Sequence, residues 1–168
     1  MRIFLIGFMG TGKSYWGARL SEISGFNFFD LDQRIEELTN RKISTLFEEE
    51  GEDGFRLLEQ KILQEITLSS DNFIMACGGG TPCFFNNLEF MKQQGTVIWL
   101  TASLEKIQAR LLAERVHRPL VSKLTEKQLK EFITTTLRTR QCYYEKAHFA
   151  VDTDRPDAES LLKNSIHV

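Results

Sequence analysis

Gly7-Phe8-Met9-Gly10-Thr11-Gly12-Lys13-Ser14 has the spacing G-x-x-x-x-G-K-[ST], which is the spacing of a phosphate cradle. Glycines let the backbone curl until its N–H groups face phosphate oxygens. The lysine then reaches the β- and γ-phosphates, and the following hydroxyl ligates Mg²⁺. A helix opening at such a loop adds the partial positive charge of its N-terminus. Ile3–Ile6, just before the loop, is a continuous apolar run, the pattern of a strand buried on both faces. The loop therefore lies between a strand and a helix, a context that a chance glycine-rich turn does not require.

This loop alone does not separate a kinase from a GTPase or a mechanical ATPase. The chain has no N-K-x-D guanine signature, and its third apolar run, Phe73–Ala76, leads into Cys77-Gly78. Many proteins of this kind place a metal-holding aspartate there. The acid must come from elsewhere, and Asp30-Leu31-Asp32 ends the second apolar run, Phe26–Phe29. Ligands collect at the carboxyl ends of strands in open α/β sheets. One carboxylate could orient metal-bound water while the other accepts or positions a hydroxyl proton. In isolation either could as well cap the following helix, but beside the glycine loop the metal and hydroxyl roles are favoured.

Arg56 stands three residues before Glu59. The pair fits an ordinary surface contact on a helix, or an arginine held by Glu59 with its donor fork aimed at a carboxylate. Spacing leaves both open. Gly78-Gly79-Gly80 follows the third apolar run directly. Three glycines exceed what a sharp turn needs, and a backbone without side chains admits close approach of a ligand.

The elements that must position these residues alternate. Strands are expected at Ile3–Ile6, Phe26–Phe29, Phe73–Ala76, Val97–Leu100 and Phe149–Val151. Helices are expected at about Gly12–Ser24 (closed by Gly25), Leu31–Leu38, Ile43–Glu49, Glu52–Leu68 and Ser103–Leu112. Phe55, Leu58, Ile62 and Ile66 recur at helical spacing in the longest of these. Thr125 with Gln128 forms a capping box opening a helix to about Lys146, and Pro156 suits the first turn of a last helix. Residues 113–124 show no period and read as a loop. Alternation of this kind predicts an α/β fold, a parallel sheet covered on both faces.

At 168 residues the chain fits one domain. Its net charge of −2 makes no case for nucleic acid or an anionic membrane as partner. Twelve acids against five bases lie between Glu22 and Glu65, and ten bases against five acids between Leu104 and Lys146. The basic stretch suits a flap over phosphates better than a merely solvated face. Cys77, Cys83 and Cys142 lack zinc-type pairing and read as reduced, mostly packed thiols of a cytoplasmic protein. No apolar run approaches the ~20 residues of a membrane span.

Taken together, Gly7–Ser14, Phe29-Asp30-Leu31-Asp32 with Ile35-Glu36, Gly51–Glu59, the triple glycine, Arg118-Pro119-Leu120 and Val151-Asp152-Thr153 resemble the shikimate kinase family, in colinear order over nearly the whole chain. The resemblance implies a single three-layer P-loop kinase domain over residues 1–168, with a five-stranded parallel sheet in the order 2-3-1-4-5. It implies a mobile lid at about 113–122 and an acceptor-binding segment at about 31–60. ATP and Mg²⁺ would be served by Gly10, Thr11, Gly12, Lys13, Ser14 and Tyr15, and Asp30 would support the metal through water. Asp32 would contact the acceptor hydroxyl as base. Arg56 and Arg140 would grip the shikimate carboxylate, with Gly78, Gly79 and Gly80 lining its pocket. Arg118 in the lid would reach the phosphates, and Arg110 and Arg155 would border the adenine. A monomer is expected. Tyr15 stands where the family often has a second hydroxyl residue, and Thr39-Asn40 replaces a glycine-containing turn. A gluconate or other small-metabolite kinase would share the loop, but Arg56 and Arg140 with the triple glycine argue against it. Retention of Lys13, Ser14, Asp30 and Asp32 argues against a non-catalytic nucleotide-binding module.

Overall fold

The computed structural model describes residues 1–114 and 121–166. Strand β1 (Arg2–Ile6) lies at the centre of the sheet, and Ile3, Phe4, Leu5 and Ile6 are all fully buried. Side chains alternate across a strand, so Phe4 and Ile6 enter one core while Ile3 and Leu5 enter the other. The continuous apolar run thus reflects two covered faces.

Helix α1 (Lys13–Ser24) stops at Gly25. Strand β2 (Asn27–Asp30) runs straight into α2 (Leu31–Thr39), which ends at Asn40 with φ 52°. Asparagine tolerates this left-handed conformation better than most residues, so Asn40 does the work a glycine would do in that turn. Helix α3 (Ile43–Ser69) is broken at Gly51, whose φ of 69° and ψ of −179° only glycine adopts readily. The break separates the two helices expected at 43–49 and 52–68.

Strand β3 (Phe73–Ala76) leads through the glycines to a 3₁₀ turn at Thr81–Cys83 and then to α4 (Asn87–Gln94), neither of which was expected. Strand β4 (Thr96–Thr101) and α5 (Leu104–Ala113) follow, α5 capped by Ser103. Helix α6 (Glu126–Tyr144) opens with the expected capping box, Thr125 and Gln128 bonding reciprocally. Strand β5 (Phe149–Asp152) precedes α7 (Ala158–Ser165). Pro156 does not start α7. It lies in the turn before it, where Ala158 N–H donates to Arg155 O at 3.2 Å.

All strand pairs are parallel, in the order β2-β3-β1-β4-β5. In register, Asp30 and Leu5 both face Ala76, Ile6 faces Trp99, and Thr101 faces Asp152. The carboxyl ends therefore align, and the loops carrying the expected chemistry share one rim. A third core cluster joins Phe8, inside the glycine loop, to Ile107 and Leu111 of α5 and Leu129 and Ile133 of α6. Full burial of such a phenylalanine contributes about 1.5–3 kcal/mol, so Phe8 anchors the loop to the helices beside it. Among the described residues no helix is long and apolar enough to cross a membrane.

Candidate active site

The glycine loop leaves β1 at Gly7, with φ 137°. A Cβ there would lie 2.4 Å from Leu100 O, so no larger residue fits between the loop and β4. Thr11 Oγ1 donates to Phe8 O at 2.8 Å and closes the curl. Lys13 Nζ folds over the loop, donating to Gly7 O at 2.8 Å and Phe8 O at 2.9 Å. From α5, Arg110 Nη1 donates to Gly10 O at 2.8 Å. The Thr153 hydroxyl, just past β5, is 2.9 Å from Thr101 O and 3.3 Å from Thr11 O. Loop, α5 and the end of β5 are thereby tied together.

Asp30 combines the two roles that spacing left open. Its Oδ1 accepts from Gln33 N–H at 3.3 Å and caps α2, while its Oδ2 accepts from Ser14 Oγ at 2.5 Å. Asp32, in the first turn of α2, remains open to solvent. The crowding of protein around its carboxyl, with the negative charges of Asp30 and Glu59, pushes its pKa up to about 6; Lys13 and Arg56 act in the opposite direction. Such a group is a carboxylate at neutral pH and close enough to titration to take a proton.

The Arg56–Glu59 pair is buried, with Arg56 only 6% exposed and Glu59 at 0%. Arg56 Nη1 meets Glu59 Oε2 at 2.8 Å, and Thr81 Oγ1 donates to the other oxygen, Oε1, at 2.6 Å. Burying charge is tolerable only when it is paired and hydrogen-bonded, and here both carboxylate oxygens are used. Arg56 Nε is buried with no acceptor among the described residues.

The triple glycine runs across this cluster. A Cβ on Gly78 would stand 2.9 Å from Glu59 Oε1 and 3.1 Å from Asp32 Oδ1. One on Gly79 would be 3.1 Å from Arg140 Nη1, and one on Gly80 only 2.3 Å from Arg56 Nη2. Each glycine is thus the floor beneath a different charged side chain. Tyr144 fixes the floor by donating from its hydroxyl to Gly79 O at 2.6 Å, and burial pushes its pKa up to about 12.

Lys13, Ser14, Asp30, Asp32, Arg56, Arg140 and the three glycines therefore gather at one end of the sheet, with Gly10, Thr11, Gly12 and Arg110 at the side of the glycine loop. Tyr15 is 67% exposed and packs edge-on against Trp16 at 5.2 Å between ring centroids. Arg155 is exposed and forms a bidentate pair with Asp157, both contacts at 2.8 Å. Arg118 and most of the expected lid lie outside the described residues. Of the thiols, Cys77 is buried, Cys83 half-buried and Cys142 exposed.

Tyr144 joins this cluster through its hydrogen bond to Gly79 O without having been expected. Thr81 directly follows the triple glycine and Thr153 closes the Val151-Asp152-Thr153 run, so both had a signal in the sequence. Tyr144 offered none, since its partner lies 65 residues away.

The sequence model of the family described as shikimate kinase matches residues 9–168. A shikimate kinase of Azobacteroides pseudotrichonymphae is 37% identical over 163 residues, covering 97% of this chain and 96% of that one. The crystal structure of the Bacteroides thetaiotaomicron shikimate kinase superposes with a TM-score of 0.90 at 33% identity, over 99% of this chain and 94% of that one. That of the Acinetobacter baumannii shikimate kinase in complex with shikimate gives 0.87 at 34%, over 99% and 90%.

Proposed function

Because this chain belongs to the shikimate kinase family, we propose that it transfers the γ-phosphoryl of ATP to the 3-hydroxyl of shikimate, giving shikimate 3-phosphate and ADP for aromatic amino-acid biosynthesis. One observation carries the reading: Arg56, Arg140 and Asp32 meet over the triple glycine, beside the phosphate loop. An acceptor that carries both a carboxylate and a hydroxyl fits that arrangement.

Arg56 and Arg140 bind the carboxylate with charge-assisted hydrogen bonds. The buried Arg56 Nε, without an acceptor among the described residues, favours such a ligand, since an unsatisfied buried donor costs about 1–3 kcal/mol. Asp32 accepts the hydroxyl proton as the phosphoryl arrives. Lys13 exchanges its carbonyl partners for β- and γ-phosphate oxygens. Arg118, from the lid, adds positive charge at the transferring group, and Arg110 and Arg155 border the adenine.

The oxygens of Ser14 and Asp30, 2.5 Å apart, suit Mg²⁺, which takes few protein ligands and keeps phosphates and water. Mg²⁺, when bound, would neutralise phosphate charge. We assign the enzyme to the cytoplasm, as a monomer with one domain and a closing lid.

The test is ADP release with shikimate, with gluconate and without acceptor, together with detection of the phosphorylated product. Release should depend on shikimate. Equal rates in all three would reduce the chain to a nucleotide hydrolase.

A further inference from the structure

Three aromatic rings surround the Arg56 guanidinium. Its Cζ lies 5.2 Å from the centroid of Phe55, 5.7 Å from Phe47 and 4.5 Å from Phe84. Phe47 and Phe55 stack on each other at 4.3 Å across the Gly51 break of α3, with Phe55 on the half that carries the arginine. Phe84 is different: it comes from the turn after the triple glycine, and it is the nearest of the three.

That turn is held firmly. Thr81 N–H donates to Gly78 O, Cys83 N–H to Gly80 O, and Asn87 N–H to Phe84 O, at 2.9–3.1 Å. The Asn87 side chain, fully buried, donates to Thr81 O at 3.0 Å. Gln60 Nε2 on α3 reaches Phe85 O at 2.9 Å, which pins the residue after Phe84 to the helix of Arg56. Phe85 itself turns outward and is 45% exposed, so the two adjacent phenylalanines have separate tasks.

A guanidinium within about 6 Å of a ring centroid is attracted to the ring face. Glu59 fixes one end of the Arg56 fork, and a ring on its face limits how the plane can tilt. We infer that Phe84 is a positioning residue for the acceptor: it holds the Arg56 guanidinium at the orientation in which it receives the substrate carboxylate. The inference rests on the reading of Arg56 as a carboxylate-binding residue.

The experiment compares Phe84→Leu, Phe84→Met, Phe84→Tyr, Arg56→Ala and the double variant Phe84→Leu/Arg56→Ala. Shikimate KM, ATP KM, kcat and the unfolding midpoint are measured for each, with equilibrium shikimate binding where turnover is too slow. Leucine and methionine keep apolar volume but lack a ring face, whereas tyrosine keeps the face. Phe84→Leu and Phe84→Met should raise shikimate KM about three- to thirty-fold, the factor corresponding to a cation–π contact, with ATP KM unchanged. Phe84→Tyr should stay near the parent. On the Arg56→Ala background, Phe84→Leu should add nothing. Folded leucine and methionine variants with parental shikimate KM would overturn the inference, as would an equal effect of Phe84→Leu with and without Arg56. If Arg56→Ala itself leaves shikimate binding unchanged, the carboxylate reading fails instead, and the clamp with it.

Discussion

Gly80→Ala is the smallest change that should disable acceptor recognition while sparing the nucleotide loop. Gly80 has φ −91° and ψ −17°, which any residue adopts, so alanine adds no backbone strain. The added Cβ, however, would stand 2.3 Å from Arg56 Nη2, 2.7 Å from Cζ and 2.9 Å from Nη1. Restoring ordinary contact, near 3.4 Å, moves the guanidinium back by about 1 Å. An exposed arginine would simply swing away. This one is held by Glu59 at 2.8 Å, backed by Thr81 on Glu59, and faced by Phe84. Overpacking of this kind costs about 1–3 kcal/mol, which lowers the unfolding midpoint by about 2–4 °C per kcal/mol in a chain of this size. A displacement of ~1 Å in a positioning contact lowers reactivity about 10²-fold. Coupled ADP release at saturating ATP and varied shikimate should therefore show kcat/KM for shikimate down by about that factor, with ATP KM unchanged. Gly79→Ala is the internal comparison. Its Cβ would meet Arg140 Nη1 at 3.1 Å and nothing else closer than 3.5 Å, so a shift of a few tenths of an ångström suffices and the loss should stay below about tenfold. A folded Gly80→Ala enzyme with parental shikimate kinetics, or a Gly79→Ala enzyme more impaired than Gly80→Ala, would refute the steric reasoning.

The pH profile of kcat/KM should show an acid limb near pH 6. Asp32 must be ionised to accept a proton, and the crowding of protein around its carboxyl, with the charges of Asp30 and Glu59, raises its pKa to about 6; activity falls below that value and is level above it. Glu59→Gln should move the limb to lower pH by removing one of those negative charges, and a limb that stays in place would separate it from Asp32. Asp32→Asn should lower kcat by about 10²–10⁴ with shikimate still bound, a result checked by pairing turnover with equilibrium binding. Lys13→Met should raise the barrier by about 3–4 kcal/mol in a protein whose circular dichroism matches the parent, and near-normal turnover would remove Lys13 from the phosphate site. Arg118→Ala should lower kcat more than it weakens shikimate binding; the reverse pattern would place Arg118 on the acceptor.

Much of the scaffold is local physics and can be read from adjacent residues. The apolar runs of β1, β3 and β4, the glycine spacing of the phosphate loop, and the Thr125–Gln128 capping box each depend on groups within a few positions of one another. Helix α4 escaped because it is eight residues long and buries only Leu88, Met91 and Asn87, too few to establish a period. Pro156 misled for a related reason: its fixed φ suits a first helical turn and an ordinary turn equally, and the hydrogen bonds around Arg155 chose the second.

What the linear order determined by itself was the inventory of the candidate site: a glycine loop, an aspartate pair and three glycines that follow strands, and an arginine three before a glutamate on a helix. Whether Arg56 and Glu59 made a surface pair or a buried one, and whether Asp30 capped a helix or met Ser14, depended on what other elements brought to them. Thr81 comes to Glu59 from 22 residues away, Tyr144 to Gly79 from 65, and Thr153 to Thr11 from 142. These meetings follow from the parallel register that aligns the carboxyl ends of the strands. The alternation of apolar residues says that a strand is buried, but not which strands lie beside it. The electrostatics of Asp32 and the clamp on Arg56 both arise from that placement, because charge and ring contacts act through space over a few ångströms, whatever the distance along the chain.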